Sequence, residues 1–213
     1  EVMNAEVRAE GLYQRVYMHH SSNSFQDATV AQQVATHCDD LVALSELYPS
    51  PLVFYHMYAA WICRYEMEQD FNGVLEVCEQ GEAYLRANPS GEHEYKLSSF
   101  QVKKMAAYLH LENYRDGRLN AERCLRELAE GSEYWFNFME YYFLLAMHAG
   151  NFVHAVAIFN QVKAQPRLLK MEDEAQVKWQ LFSAYCDYII YSEGRRNPVL
   201  QAQAPKNLSL SSM

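Results

Sequence analysis

Three short stretches decide the fold of this chain: Asp70-Phe71-Asn72-Gly73-Val74, Asn113-Tyr114-Arg115-Asp116-Gly117 and Asn151-Phe152-Val153-His154-Ala155. In each, a polar residue precedes an aromatic one, and a small or apolar residue follows the aromatic by three positions. Phe25, with Ala28 three residues on, has the same spacing. The four aromatics lie 46, 43 and 38 residues apart. Self-similarity on this scale marks stacked helical hairpins, each of which buries its apolar face only against its neighbours.

Working outward from these turns, apolar residues recur at helical spacing almost everywhere. Residues 1–20 place Val2, Ala5, Ala9, Leu12, Tyr13 and Val16 on one face, until the polar run His20-Ser21-Ser22-Asn23-Ser24 interrupts them. A second helix is expected from Phe25 to about Leu47, with Ala28, Ala31, Ala35, Cys38, Val42 and Ser45 as its inner stripe. Tyr48-Pro49-Ser50-Pro51 ends it, because proline disfavours helix in the residue before it. The second hairpin pairs 52–69, rich in large apolar residues, with a return through Phe71, Val74, Leu75, Cys78 and Leu85. The third pairs 94–111 with a return through Tyr114, Gly117, Ala121, Cys124, Leu125 and Leu128, and the fourth pairs 134–148 with 152–162. A last helix over 172–191, carrying Trp179, Phe182, Tyr185, Cys186 and Ile189, has no returning partner and reads as a cap. The expected fold is therefore all-α: a helical-repeat domain over residues 1–192, then a flexible tail or linker over 193–213.

Composition narrows the function classes. Half of the 213 residues are apolar, while 8 Gly and 6 Pro punctuate long helical runs, as in a folded helical protein. The net charge of −9 argues against nucleic acid as a partner, since phosphate binding needs clustered Lys and Arg. Residues 1–95 carry 15 acids and 4 bases, whereas 96–213 carry 12 and 14. Lys96, Lys103, Lys104, Arg115, Arg118, Arg123 and Arg126 form a local excess that reads either as a basic patch or, more simply, as solvated helix faces with i,i+4 ion pairs. Five cysteines without a CxxC pair point to buried, reduced thiols and a cytoplasmic setting. No apolar run is long enough to span a bilayer, so no membrane partner is expected. The chain opens at Glu1 with no signal-peptide pattern, which suits one part of a longer polypeptide.

The three turn stretches resemble the hairpin turn of the tetratricopeptide (TPR) family, in which a polar residue and an aromatic begin the second helix and a small residue follows. Asn88-Pro89 looks like that family's terminal proline, and Ala121 suits another of its small positions. The repeats here are longer than the 34 residues usual in the family, and Ile62, Met105 and Phe143 stand near a position where it has a small residue. The resemblance is best over 52–165. It implies a right-handed α-solenoid of about four hairpins with a C-terminal capping helix, whose first helices line a concave, partner-binding face. Long irregular hairpins are also similar to sensor domains of peptide-responsive regulators, which makes a ligand-sensing domain lacking its DNA-binding domain the alternative reading.

No catalytic pattern appears: no GxxxxGKS/T, GxGxxG after a strand, HExxH, GxSxG, EF-hand loop or helical Glu-x-x-His. The chain is therefore read as a non-enzyme with no cofactor and no metal. His20, His110 and His148 recur near equivalent helix ends, but equivalent positions in stacked hairpins lie about 8–10 Å apart, too far to share a zinc ion. The implied concave face takes Tyr13 and Tyr17 from the first helix, and His56 and Met67 from the third, with Ala59 and Cys63 beside them. Val102, Lys103 and His110 come from the fifth, with Ala106, and Glu140, Leu144 and His148 from the seventh. Such residues suit an extended peptide or a partner helix, and Lys103 could reach an acidic group on it. The unreturned last helix leaves an apolar face through which two copies could associate.

Overall fold

The computed structural model describes residues 1–22, 27–89, 93–166, 173–194 and 196–203, with the side chains of 93–94 and 173–176 left aside. Among them the chain is all-helical. The helices are α1 (Val2–Ser21), α2 (Ala28–Leu47), α3 (Pro51–Glu68), α4 (Phe71–Ala87), α5 (His93–His110), α6 (Tyr114–Leu125), α7 (Glu133–His148), α8 (Phe152–Lys163), α9 (Asp173–Glu193) and α10 (Pro198–Gln201). None is long and apolar enough to cross a membrane. Phe25, the first of the recurring aromatics, falls outside the described residues.

The motif residues earn their places through local chemistry. Asp70 Oδ1 caps α4 by accepting from Gly73 N–H at 3.0 Å, and Asn151 Oδ1 caps α8 by accepting from His154 N–H at 3.4 Å. The small or apolar residue three positions after each aromatic (Val74, Gly117, Ala155) is buried.

The residue before each polar one is left-handed: Gln69 at φ 58°, Glu112 at 56° and Gly150 at 69°. All three turns close identically. The amide of the left-handed residue reaches Glu66, Leu109 or Met147 O at 3.0–3.2 Å, and that of the following polar residue reaches Tyr65, Tyr108 or Ala146 O at 2.9–3.0 Å. The three turns share one backbone geometry.

The chain divides into two compact units, Glu1–Asn113 and Tyr114–Met213. The boundary falls in the turn of the third expected hairpin, so α5 and α6 belong to different units. In the first unit α1 packs on α2 and α3, α2 on α3, α3 on α4, and α4 on α5. One core joins Ala5, Ala9, Leu12 and Val16 of α1 to Val34, Cys38 and Leu41 of α2 and to Val53, Met57 and Ala60 of α3. A second joins Tyr55, Ala59 and Ile62 of α3 to Val74, Cys78 and Leu85 of α4 and to Phe100 of α5. α3 is thus buried on two sides, which explains its apolar residues all round.

In the second unit α7 packs between α6 and α8, while α8, α9 and α10 pack together. Trp179 and Phe182 of α9 meet edge to face at 5.1 Å, and Phe182 stacks on Phe143 of α7 at 4.6 Å.

Three sequence expectations change. The inner stripe of α2 is Val34, Cys38, Leu41, Leu44 and Ser45; Ala28 is exposed, and Ala31, Ala35 and Val42 are half-buried. Burying Val and Leu in place of Ala removes more apolar surface from water, so the helix rolls that way. α6 stops at Leu125, before Leu128. Within the tail expected over 193–213, Pro198–Gln201 form α10, capped by Asn197, with Leu200 buried; residues 204–213 lie outside the described residues.

The five cysteines are buried and form no disulfide. Burial pushes the thiols of Cys38, Cys63 and Cys186 up to about 12. Several of the bases after residue 95 are engaged within their own units. Lys96 is buried beside the Tyr55 ring, and the buried Lys104 ammonium lies 3.5 Å from the carboxylates of Glu79 and Glu82. In the second unit Arg118 pairs with Glu122 at 3.6 Å, Arg123 donates to Asn120, and Arg126 donates to Glu122 O.

Candidate functional site

In the first unit the site is a line of side chains crossing α1, α3 and α5. Tyr13, Tyr17 and His20 follow one stripe of α1 at i, i+4 and i+7 spacing. The Tyr13 and Tyr17 rings lie 6.0 Å apart, and Tyr17 and His20 lie 6.3 Å apart. Tyr13 also meets the ring of His56 on α3 at 5.4 Å. From His20 the line continues to Glu66 of α3, whose carboxylate accepts from His20 Nε2 at 2.8 Å, and then to Lys103 of α5, whose ammonium donates to both Glu66 oxygens at 2.7 and 2.8 Å.

The electrostatics follow from this packing. Glu66 is only 14% exposed, and burial alone would raise its pKa. The hydrogen bond from His20 and the charge and hydrogen bond of Lys103 outweigh that burial and hold the carboxyl below its ordinary value. Burial, then Cys63 and the phenols of Tyr55, Tyr17 and Tyr95, push the Tyr13 phenol well above the usual range. Burial and, secondarily, Lys96 lower His56 to about 4, against the small opposing effect of Glu6. The His56 Nδ1 has no hydrogen-bond partner among the described residues.

The sequence-derived residues divide accordingly. Tyr13, Tyr17, His56 and Lys103 come together on this line. Tyr17 is 47% exposed, whereas His56 is 7% exposed and belongs to the interior. Met67 packs partly against the first core, and Val102 is half-buried. Ala59 and Cys63 are buried packing residues, and Ala106 is half-buried. Lys103 does not project free toward an acidic ligand, because Glu66 of its own unit holds it. His110 is exposed at the end of α5 and stacks on Phe71 at 4.1 Å.

In the second unit Glu140 pairs with Lys178 of α9 at 2.9 Å. Leu144 and His148 line a pocket of about 300 Å³ with Phe143, Met147 and Tyr185.

Sequence reasoning missed Glu66, Lys178 and Tyr185. Glu66 carried a usable signal, since it adjoins Met67 in the stripe that faces α1 and α5. Comparison with protein-family models, with curated proteins and with solved structures gives no match. The site therefore stands on its own geometry: an aromatic stripe, part exposed, that ends in a three-helix charge cluster.

Proposed function

We propose that this chain is a non-catalytic, TPR-like helical-repeat scaffold, a right-handed α-solenoid that binds a protein or peptide along the face of its first helices. The single observation that carries the reading is the contact of His20, Glu66 and Lys103, which brings one stripe each of α1, α3 and α5 to a common face. The three identical turns support the repeat, since each returns the chain into a helix opened by an aromatic. Tyr17 and Tyr95, each about half exposed on α1 and α5, offer flat apolar area with a hydrogen-bonding edge, which suits a peptide backbone. In the second unit the pocket between α7 and α9 has the same kind of lining, with Leu144, His148 and Tyr185.

The test is quantitative binding. A partner captured with the wild-type chain is purified and titrated against Tyr17→Ala, His148→Ala and a control, Glu76→Ala, on the exposed side of α4. The face variants weaken binding at least about tenfold, as loss of an interface anchor does, and the control does not. Equal affinity for all of them overturns the reading.

A further inference from the structure

Cys63 lies one turn before Glu66 on α3, buried beside the charge cluster. The ligating atoms of His20, Cys63 and Glu66 all lie within 4.8 Å of one another. We infer that these three side chains form a transition-metal site of the zinc class, in which the Lys103 ammonium occupies the cation position of the metal-free protein.

The donor set is one imidazole nitrogen, one sulfur and one carboxylate oxygen, which are the ligand types of zinc sites. Metal–ligand bonds of about 2.0–2.3 Å at tetrahedral angles place such atoms about 3.3–3.6 Å apart. His20 Nε2 and Glu66 Oε2, now 2.8 Å apart through a hydrogen bond, open slightly, while the separations from Cys63 Sγ, none above 4.8 Å, settle into that range. The three residues come from two helices already packed together, and the His20 side chain is 26% exposed, so an ion and a water as fourth ligand have an approach from solvent.

The proton balance is simple. The dication enters, the Cys63 thiol releases its proton to solvent, and the Nε2 proton that His20 donates to Glu66 exchanges away through solvent, leaving a neutral imidazole protonated at Nδ1 that coordinates through Nε2. Thiolate and carboxylate then neutralise the metal. Lys103 loses its reason to sit on Glu66 and moves away. This site is independent of the equivalent-histidine arrangement that the sequence rules out, because it uses only His20 of that set.

Cobalt(II) titration of the whole chain tests the inference, with a thiolate-to-metal charge-transfer band as readout. One equivalent binds with that band, and Zn2+ displaces it. His20→Ala, at the accessible end of α1, and Cys63→Ser each weaken binding by about 100-fold or more, beyond what loss of an outer-shell partner removes. Lys103→Met, which deletes the competing cation, tightens binding about tenfold or more. Absence of the charge-transfer band in the wild type, or its persistence in Cys63→Ser, overturns the site. Unchanged or weaker binding by Lys103→Met overturns the role given to the lysine.

Discussion

The ring of His110 lies flat on the ring of Phe71, with centroids 4.1 Å apart and planes 2° from parallel. The aromatic that opens α4 is thus covered by the histidine that ends α5, so the α3–α4 turn is fastened to the next helix. The contact has a looser counterpart in the second unit, where His148, at the end of α7, stacks on Tyr114, which opens α6, at 6.1 Å and 27°. His110 and His148 share their distance from a turn aromatic, and the structure gives that spacing a purpose.

A double-mutant cycle measures the fastening. Phe71→Ala and His110→Ala couple by about 0.5–1.5 kcal/mol in urea unfolding, the range of aromatic pairs beyond their buried area. The Tyr114/His148 cycle gives a smaller coupling, because its rings are further apart. Couplings near zero in both cycles would show that stacking contributes little at either place.

The left-handed turn residues make a second prediction. Glycine holds this conformation in one turn (Gly150), but Gln69 and Glu112 bear the strain of a side chain in the other two. Gln69→Gly and Glu112→Gly each raise stability by up to about 1 kcal/mol, the balance of relieved strain against the greater freedom of an unfolded glycine. A lower urea midpoint in both variants contradicts this.

Glycines inside helices separate the two forces that act there. A Cβ on Gly81 would lie 2.6 Å from Cε2 of the buried Phe100, whereas one on Gly11 meets nothing within 4 Å. Gly81→Ala is destabilising by about 1–3 kcal/mol through overpacking. Gly11→Ala is stabilising by up to about 1 kcal/mol through helix propensity. Thermal unfolding of the two variants shows opposite shifts.

Acid sensitivity has two windows. His56 titrates at about 4 in the folded chain against an ordinary 6.5, so between these values the unfolded chain holds a proton that the folded chain lacks. Stability therefore falls as pH falls through that window, by about 2 kcal/mol between pH 7 and pH 5. In His56→Phe this slope flattens by that amount, with urea midpoints at the two pH values as the measurement.

Glu66 acts lower on the pH scale. Its folded pKa lies below the ordinary carboxylate value, so its contribution is complete above that value and lost as pH drops through the folded one. Glu66→Gln removes about 2 kcal/mol at neutral pH, because Lys103 and His20 lose the charge they share. The variant also shows a flatter acid limb below the His56 window. An unchanged limb would mean that the cluster does not couple to folding.

The local elements were legible in the residues themselves. Asp70 and Asn151 announce helix starts because a short polar side chain can accept from an amide two or three positions on. Val74, Gly117 and Ala155 are buried, each three residues after its turn aromatic. The Tyr48-Pro49-Ser50-Pro51 break falls between α2 and α3, with Ser50 accepting from Leu52 N–H as the cap of α3. These are properties of neighbours in the chain, settled within one or two turns.

Only the tertiary structure decided which stripe of α2 is buried, that α3 is buried on two sides, and that Glu66 meets both His20 and Lys103. Lys103 and Glu66 are 37 positions apart, and no spacing rule relates them. Their meeting depends on how far each helix rolls about its axis when the large side chains of the cores pack, a choice made jointly by Val34, Leu41, Tyr55 and Phe100 and by no single stretch. Sequence by itself determined most of the helices and the three turns between 69 and 151, because those energies are local. The charge cluster and the face it marks arise from packing between helices, where the energy belongs to pairs of residues far apart in the chain.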